Sequence, residues 1–237
     1  MNSTLYHGDC LDYMRTMPDG CVDLIVTDPP YEIETHGRGI MRHRDYQEEL
    51  RPMADGFSPE VLEQMARVMK HVNLYTFCSK RQMPKLIDYF QSHVPGGANY
   101  TLITWHKSNP IPVCGNSYLS DTEYCLFFRG HGVPIYGRFE TKRTYYVTPL
   151  NKADKKLYGH PTVKPLGIIR NLIINSSQPG ETVFDPFMGS GTTGAACAEL
   201  GRKFIGCEIN ETYFNTARAR IEAAEKQERL MEEDETE

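Results

Sequence analysis

No stretch of this 237-residue sequence approaches the length of a membrane-spanning apolar run, so no transmembrane helix is expected. Met1 to Leu11 lacks the basic start and apolar core of a secretion signal. The seven cysteines include no Cys-x-x-Cys pair and lie mostly in apolar runs, the pattern of buried, reduced thiols in a cytoplasmic protein. The same missing pairs argue against structural zinc, and no metal requirement is expected. Tryptophan occurs once, as Trp105, and reads as structural. There is no internal repeat and no linker-like composition shift, so residues 1–231 read as one domain with insertions, followed by an acidic, disordered tail at 232–237.

A shortage of positive charge is the one absence that misleads. The net charge is −5, but residues 222–237 hold eight acids against two bases, leaving +1 for the rest. From Arg129 to Arg170 nine bases face only Glu140 and Asp154, with Tyr136, Phe139, Tyr145, Tyr146 and Tyr158 interleaved. Such a mixture suits phosphate neutralisation and base stacking, although a solvated loop carrying core tyrosines has the same composition.

What is present is led by Asp28-Pro29-Pro30-Tyr31, directly after the apolar run Val22 to Thr27. The run reads as a strand, and two prolines forbid both helix and ladder beyond it. A carboxylate and the Pro29 carbonyl thus stand as neighbouring acceptors on a stiff turn, beside an aromatic face. That is a place for a planar amine, though Asp-Pro-Pro also serves as plain punctuation after a strand.

Residues 183–194 read Val-Phe-Asp-Pro-Phe-Met-Gly-Ser-Gly-Thr-Thr-Gly, with Gly189, Gly191 and Gly194 matching GxGxxG ahead of a helical segment from Thr193 to Leu200. Glycines there permit a tight turn and close approach to a ligand at a helix N-terminus. Glu208 closes the next strand and is suited to a ribose hydroxyl pair. Alone, these features fit a nicotinamide-dependent oxidoreductase almost as well.

Taken together the motifs resemble the beta class of S-adenosylmethionine-dependent DNA amino-methyltransferases. The resemblance rests on the catalytic Asp28-Pro29-Pro30-Tyr31, on the loop Asp185-Pro186-Phe187-Met188-Gly189-Ser190-Gly191, on the block His160-Pro161-Thr162-Val163-Lys164-Pro165 before it, and on the order of these blocks. It implies an α/β, Rossmann-like, doubly wound and mostly parallel methyltransferase sheet with a small target-recognition insertion. The S-adenosylmethionine site it implies comprises Asp9, Cys10, Asp28, Thr162, Lys164, Asp185, Phe187, Gly189, Ser190, Gly191, Thr192 and Glu208. His160 reads as structural. Double-stranded DNA is the implied partner, and the resemblance also admits a homodimer.

Recognition is expected from residues 129–159, with Arg138, Lys142, Arg143, Lys155 and Lys156 as DNA contacts, and from 32–56, with Arg38, Arg42 and Arg44, as a lid that orders on DNA. No Pro-Cys step is present, which disfavours methylation at carbon 5 of cytosine. Adenine N6 is preferred over cytosine N4 because the catalytic motif opens with Asp28, where cytosine enzymes more often carry Ser. A non-catalytic DNA-binding relative is expected to show a damaged motif, and this one is intact.

The remaining sequence reads as scaffold: helices at 59–70, 81–91 and 210–227, and strands at 71–78, 100–106 and 122–128.

Overall fold

The computed structural model describes residues 2–31, 56–112 and 114–234, and the side chains only to residue 230. Arg38, Arg42 and Arg44, and with them nearly all of the 32–56 stretch, lie outside the described residues.

The sheet is built around β2 (Leu24–Thr27), whose four residues are all buried, as a central parallel strand covered on both faces requires. Its side chains alternate between two core layers. Ile25 points to the layer holding Met14, Leu62, Met65 and Phe90. Leu24 and Val26 point to the layer holding Ile169, Leu172, Ala196 and Ile221. Among the described residues eight strands form one sheet in the order β1-β8-β7-β2-β3-β5-β4-β6. The others are β1 (Ser3–His7), β3 (Asn73–Cys78), β4 (Ala98–Lys107), β5 (Thr122–Gly130), β6 (Tyr145–Thr148), β7 (Thr182–Asp185) and β8 (Lys203–Glu208). Only β5 runs against its neighbours, pairing antiparallel with both β3 and β4.

On the first layer lie α1 (Cys10–Thr16), α2 (Pro59–Val68) and α3 (Gln82–Asp88), the last extended by a wide turn over Tyr89–His93. On the second lie α5 (Leu166–Ser176), α6 (Thr192–Glu199) and α7 (Glu211–Asp234), while α4 (Lys152–Tyr158) is a short helix with no buried residue. Pro59 opens α2 at its first turn, where its missing N–H costs nothing. The expected helix end at residue 70 is replaced by an earlier stop at Val68. Met69 turns extended to bridge Val22, and Lys70 N–H donates to the Val22 carbonyl at 2.9 Å. Tertiary pairing overrides helical periodicity there, and Val22, read as strand, makes only that bridge.

Two further stretches carry regular structure that was not expected. The stretch 129–159, read as a recognition insertion, contains β6, which extends the sheet by pairing parallel with β4. Tyr146 packs against the second core layer, and Trp105 Nε1 donates to Thr148 Oγ1 at 2.8 Å, so part of this basic stretch is scaffold. The closing helix runs on to Asp234, past Glu232, where the sequence reading begins a disordered tail.

Because seven strands share one direction, the C-terminal ends of β1, β8, β7 and β2 lie side by side along one edge. Asp9, Glu208, the Gly loop and Asp28 follow those ends in turn, where open α/β sheets place their ligands.

Candidate active site

The Gly loop leaves β7 through Asp185, whose carboxylate accepts from Thr27 Oγ1 (2.8 Å), Phe187 N–H (3.1 Å) and Thr193 Oγ1 (2.7 Å). One buried acid thus ties β2, the loop and α6 together. Its oxygens are committed to the protein, although the residue also lines the cavity described below. Burial pushes its pKa up to about 7 in spite of those three donors. A carboxyl whose pKa is raised in the folded state favours folding at pH below its unfolded value and loses that contribution as pH rises through the folded value. Stability is therefore expected to decline between about pH 4 and pH 7 through this group. Urea unfolding of Asp185→Asn at both ends of that window should show a flatter dependence than the parent. An unchanged slope would remove Asp185 as the cause.

Gly189 and Gly191 adopt φ values of +50° and +76°. Gly189 N–H donates to Glu208 Oε2 at 3.0 Å, while Asn210 N–H donates to Glu208 Oε1 at 2.8 Å. Glu208 is therefore oriented by backbone donors at the end of β8, with burial raising its pKa. Asp9 caps α1 by accepting from Leu11 N–H at 2.8 Å, so the cap reading and the ligand reading meet in one residue.

These elements enclose a cavity of about 530 Å³, within the range of small-molecule sites. Asp9, Cys10, Asp28, Pro30, Thr162, Lys164, Asp185, Phe187, Gly189, Ser190, Thr192 and Glu208 line it. Gly191 stands behind the wall, where an added Cβ would lie 2.9 Å from Ala217 Cα. Burial pushes the Cys10 thiol up to about 12, so it is protonated there near pH 7. Carboxylates at Asp9 and Glu208, on the ends of the paired strands β1 and β8, with a glycine-backed turn, suit a nucleoside ligand carrying ribose hydroxyls.

At the other end is the turn from Asp28 to Tyr31, after β2. Gln82, buried at the start of α3, donates from Nε2 to the Pro30 carbonyl at 2.8 Å and accepts from Ser79 N–H at 3.0 Å, pinning the two prolines. Lys164 Nζ donates to Asp28 Oδ2 and lies 3.3 Å from Glu123 Oε2, whose other oxygen is 2.9 Å from Lys107 Nζ. Asp28 Oδ1 and the Tyr31 hydroxyl are both buried and make no well-formed hydrogen bond, but the two groups lie close enough for Tyr31 to favour the Asp28 carboxylate. Burial pushes Asp28 above the usual carboxylate range, and the Lys164 ammonium opposes the rise. Tyr31 packs on the second core layer, with Lys164 Nζ 5.7 Å from its ring centroid.

Lys164 was expected at the cofactor; it lines the cavity but spends its charge on Asp28 and Glu123. Glu123 was not foreseen. His160 packs edge-on to Tyr213 and accepts from Thr162 N–H at 3.3 Å. Burial, then Lys164 and Lys155, lower its pKa to about 4, so it is neutral near pH 7. Of the expected DNA contacts, Arg138, Lys142, Arg143 and Lys156 are exposed and outside the cavity wall. Lys155 is half-buried and faces Glu123, Lys107 and Lys164. Among the described residues, no group of three or more His, Cys, Asp or Glu side chains could hold a metal ion, and no helix is long and apolar enough to cross a membrane.

Residues 22–219 match the DNA methylase family that comprises N6 and N4 methyltransferases. The chain is 25% identical over 245 residues to Type II methyltransferase M.HinfI of Haemophilus influenzae, covering 92% of this chain and 68% of that protein. It is 26% identical over 251 residues to Type II methyltransferase M2.MboI of Moraxella bovis, covering 92% and 87%. The solved complex of M1.HpyAVI with SAM superposes with a TM-score of 0.67 at 26% identity, over 92% of this chain and 99% of that one. PvuII DNA methyltransferase, described as cytosine-N4-specific, shares the fold with a TM-score of 0.71 at 17% identity, over 96% and 93%. Fold, site and sequence agree, and the chain belongs to the N6/N4 DNA methylase family.

Proposed function

We propose that this protein transfers the methyl group of S-adenosylmethionine to the N6 amine of an adenine flipped out of double-stranded DNA. The observation that carries this reading is Asp28 on the cavity wall, with Lys164 taking Oδ2 and leaving Oδ1 beside the Tyr31 hydroxyl without a well-formed hydrogen bond.

S-adenosylmethionine supplies an electrophilic sulfonium methyl when bound. Glu208 and Asp9 would hold its ribose and adenine end, and the turn at Phe187, Gly189 and Ser190 would hold its body. The adenine amine is a poor nucleophile because its lone pair is delocalised into the ring. Asp28 Oδ1 and the Pro29 carbonyl each accept one of its N–H groups, which localises the lone pair and aims it at the methyl. The Pro30 carbonyl is already taken by Gln82, so Pro29 supplies the second acceptor. Positioning and electrostatics carry most of the rate, with no covalent intermediate on the protein.

Flipping costs a few kcal/mol, and stacking on an aromatic ring returns about 1–3 kcal/mol per base. Tyr31 is assigned that stacking role. Tyr31→Phe is expected to keep most activity, since the hydroxyl makes no well-formed hydrogen bond and only adjoins Asp28, whereas Tyr31→Ala is expected to lose about tenfold or more. Equal losses in single-turnover assays would remove the stacking role.

Adenine is favoured over cytosine because Asp28 opens the motif. Exposed Arg138, Lys142, Arg143 and Lys156, with Lys155 nearer the site, are assigned to the phosphates. Digesting methylated DNA to nucleosides distinguishes the bases: label in N6-methyladenine supports this reading, and label in N4-methylcytosine overturns the base while keeping the mechanism.

A further inference from the structure

Four charged side chains in a row end on the catalytic acid. Lys107 Nζ is 2.9 Å from Glu123 Oε1, Glu123 Oε2 is 3.3 Å from Lys164 Nζ, and Lys164 donates to Asp28 Oδ2. Their side chains are 15%, 21%, 6% and 22% exposed, so the whole row is largely withdrawn from water. The signs alternate and cancel, which is how four charges are buried together. We propose that Lys107, Glu123 and Lys164 form a charge chain that sets how strongly Asp28 accepts a hydrogen bond, with Glu123 as its positioning residue. This deepens the reading of Asp28 as the amine acceptor and rests on it.

The physical need is specific. A carboxyl buried alone is neutral near pH 7, and a neutral carboxyl is a weak acceptor. Lys164 restores the charge, but an ammonium held by Asp28 alone would draw electron density from Oδ1, the oxygen left for the amine. Glu123 shares that ammonium. Lys107 in turn shares Glu123, so that it does not pull Lys164 away. Neither lysine has a free lone pair while charged, and Glu123 is held between them, so the chain acts on Asp28 through charge.

The fold supplies the arrangement through β5, the one reversed strand among the described residues. Glu123 stands near the start of β5 opposite Trp105 of β4, and Lys107 lies two residues further along β4, on the same face. The other titratable groups facing this cluster are Tyr31, Cys78 and Cys125, all raised by burial, Asp185 beside Asp28, and Lys155 and His160 on the Lys164 side.

The test is a carbon-13 NMR titration of the Asp28 carboxyl in the full-length protein labelled at aspartate, assigned by the signal lost in Asp28→Asn. Removing the anion with Glu123→Gln is expected to lower the Asp28 midpoint. Removing the distal cation with Lys107→Met is expected to raise it. Each shift should be about half a unit to one unit for a charge one step removed from direct contact. The acid limb of kcat should move in the same two directions, with KM for S-adenosylmethionine unchanged. Midpoints that stay put, or that move in the same direction in both variants, would overturn the proposal. So would a fall in kcat with an unmoved midpoint, which marks a merely structural role. If Glu123→Gln does not fold, Lys107→Met decides alone by the same criterion. The titration needs no DNA, so a wild-type protein that fails to methylate DNA defeats the functional reading without touching this result.

Discussion

Asp28→Ala is expected to lower methyl transfer by about 10³-fold or more while leaving S-adenosylmethionine binding within a few-fold of the parent. The rate loss follows from removing the group that accepts the amine N–H in the transition state, an interaction whose loss in other enzymes costs ~10²–10³ in rate. The added loss here comes from Lys164. Without Asp28 its buried ammonium keeps only Glu123, and it then presents positive charge to an amine that must become more nucleophilic. Cofactor binding survives because the contacts assigned to it come from Asp9, Glu208 and the Gly loop at the other end of the cavity. Single-turnover transfer and equilibrium binding separate the two effects. Transfer within tenfold of the parent would take Asp28 out of the chemistry.

Gly191→Ala is expected to destabilise the fold by about 2–5 kcal/mol. A non-glycine residue at positive φ costs about 1–2 kcal/mol, and forcing atoms into a packed contact adds about 1–3 kcal/mol. Both apply at Gly191, where φ is +76° and the new Cβ would lie 2.9 Å from Ala217 Cα of α7. Gly201 is the internal control, because its φ is +65° but a Cβ there meets nothing within 4 Å. Gly201→Ala should therefore show only the conformational cost, about 1–2 kcal/mol. Urea unfolding of both variants measures the difference, which is the packing contribution. The Gly191 variant should also weaken cofactor binding, since the turn it distorts carries Gly189 and Ser190 into the cavity wall. Equal stability losses in the two variants would refute the close approach of α7.

The parts of this site that sequence makes legible are those whose chemistry is local. Asp28 to Tyr31 announces itself because prolines stop a strand wherever they stand, and Gly189 to Gly194 because glycines mark a turn that other residues cannot make. Neither needs knowledge of distant contacts. Glu123 is the opposite case. In the sequence it is one acid near the start of an apolar strand, with nothing to say that β5 runs backwards. That reversal alone brings it between Lys107 and Lys164. Asp185 shows a third situation, in which the residue was located at the cavity but its internal hydrogen bonds were not read. A motif position near the ligand reads as a ligand contact, whereas Thr27 and Thr193 occupy it as an internal latch.

The fold divides in the same way. The buried β2 and the amphipathic α2 follow from composition and period, but β6 does not. Its alternation of exposed Tyr145 and Val147 with half-buried Tyr146 and Thr148 spans four residues inside a basic stretch, too short a pattern to separate from the interleaved aromatics of a recognition loop. Only pairing with β4 identifies it as scaffold.

The most direct test incubates wild type and Asp28→Ala side by side with methyl-labelled S-adenosylmethionine and unmethylated duplex DNA, counting label bound to protein and label in DNA. The account predicts that both proteins bind the cofactor and that only the wild type labels DNA. Equal labelling of DNA by both, or cofactor binding by the wild type with no label in DNA, would contradict it.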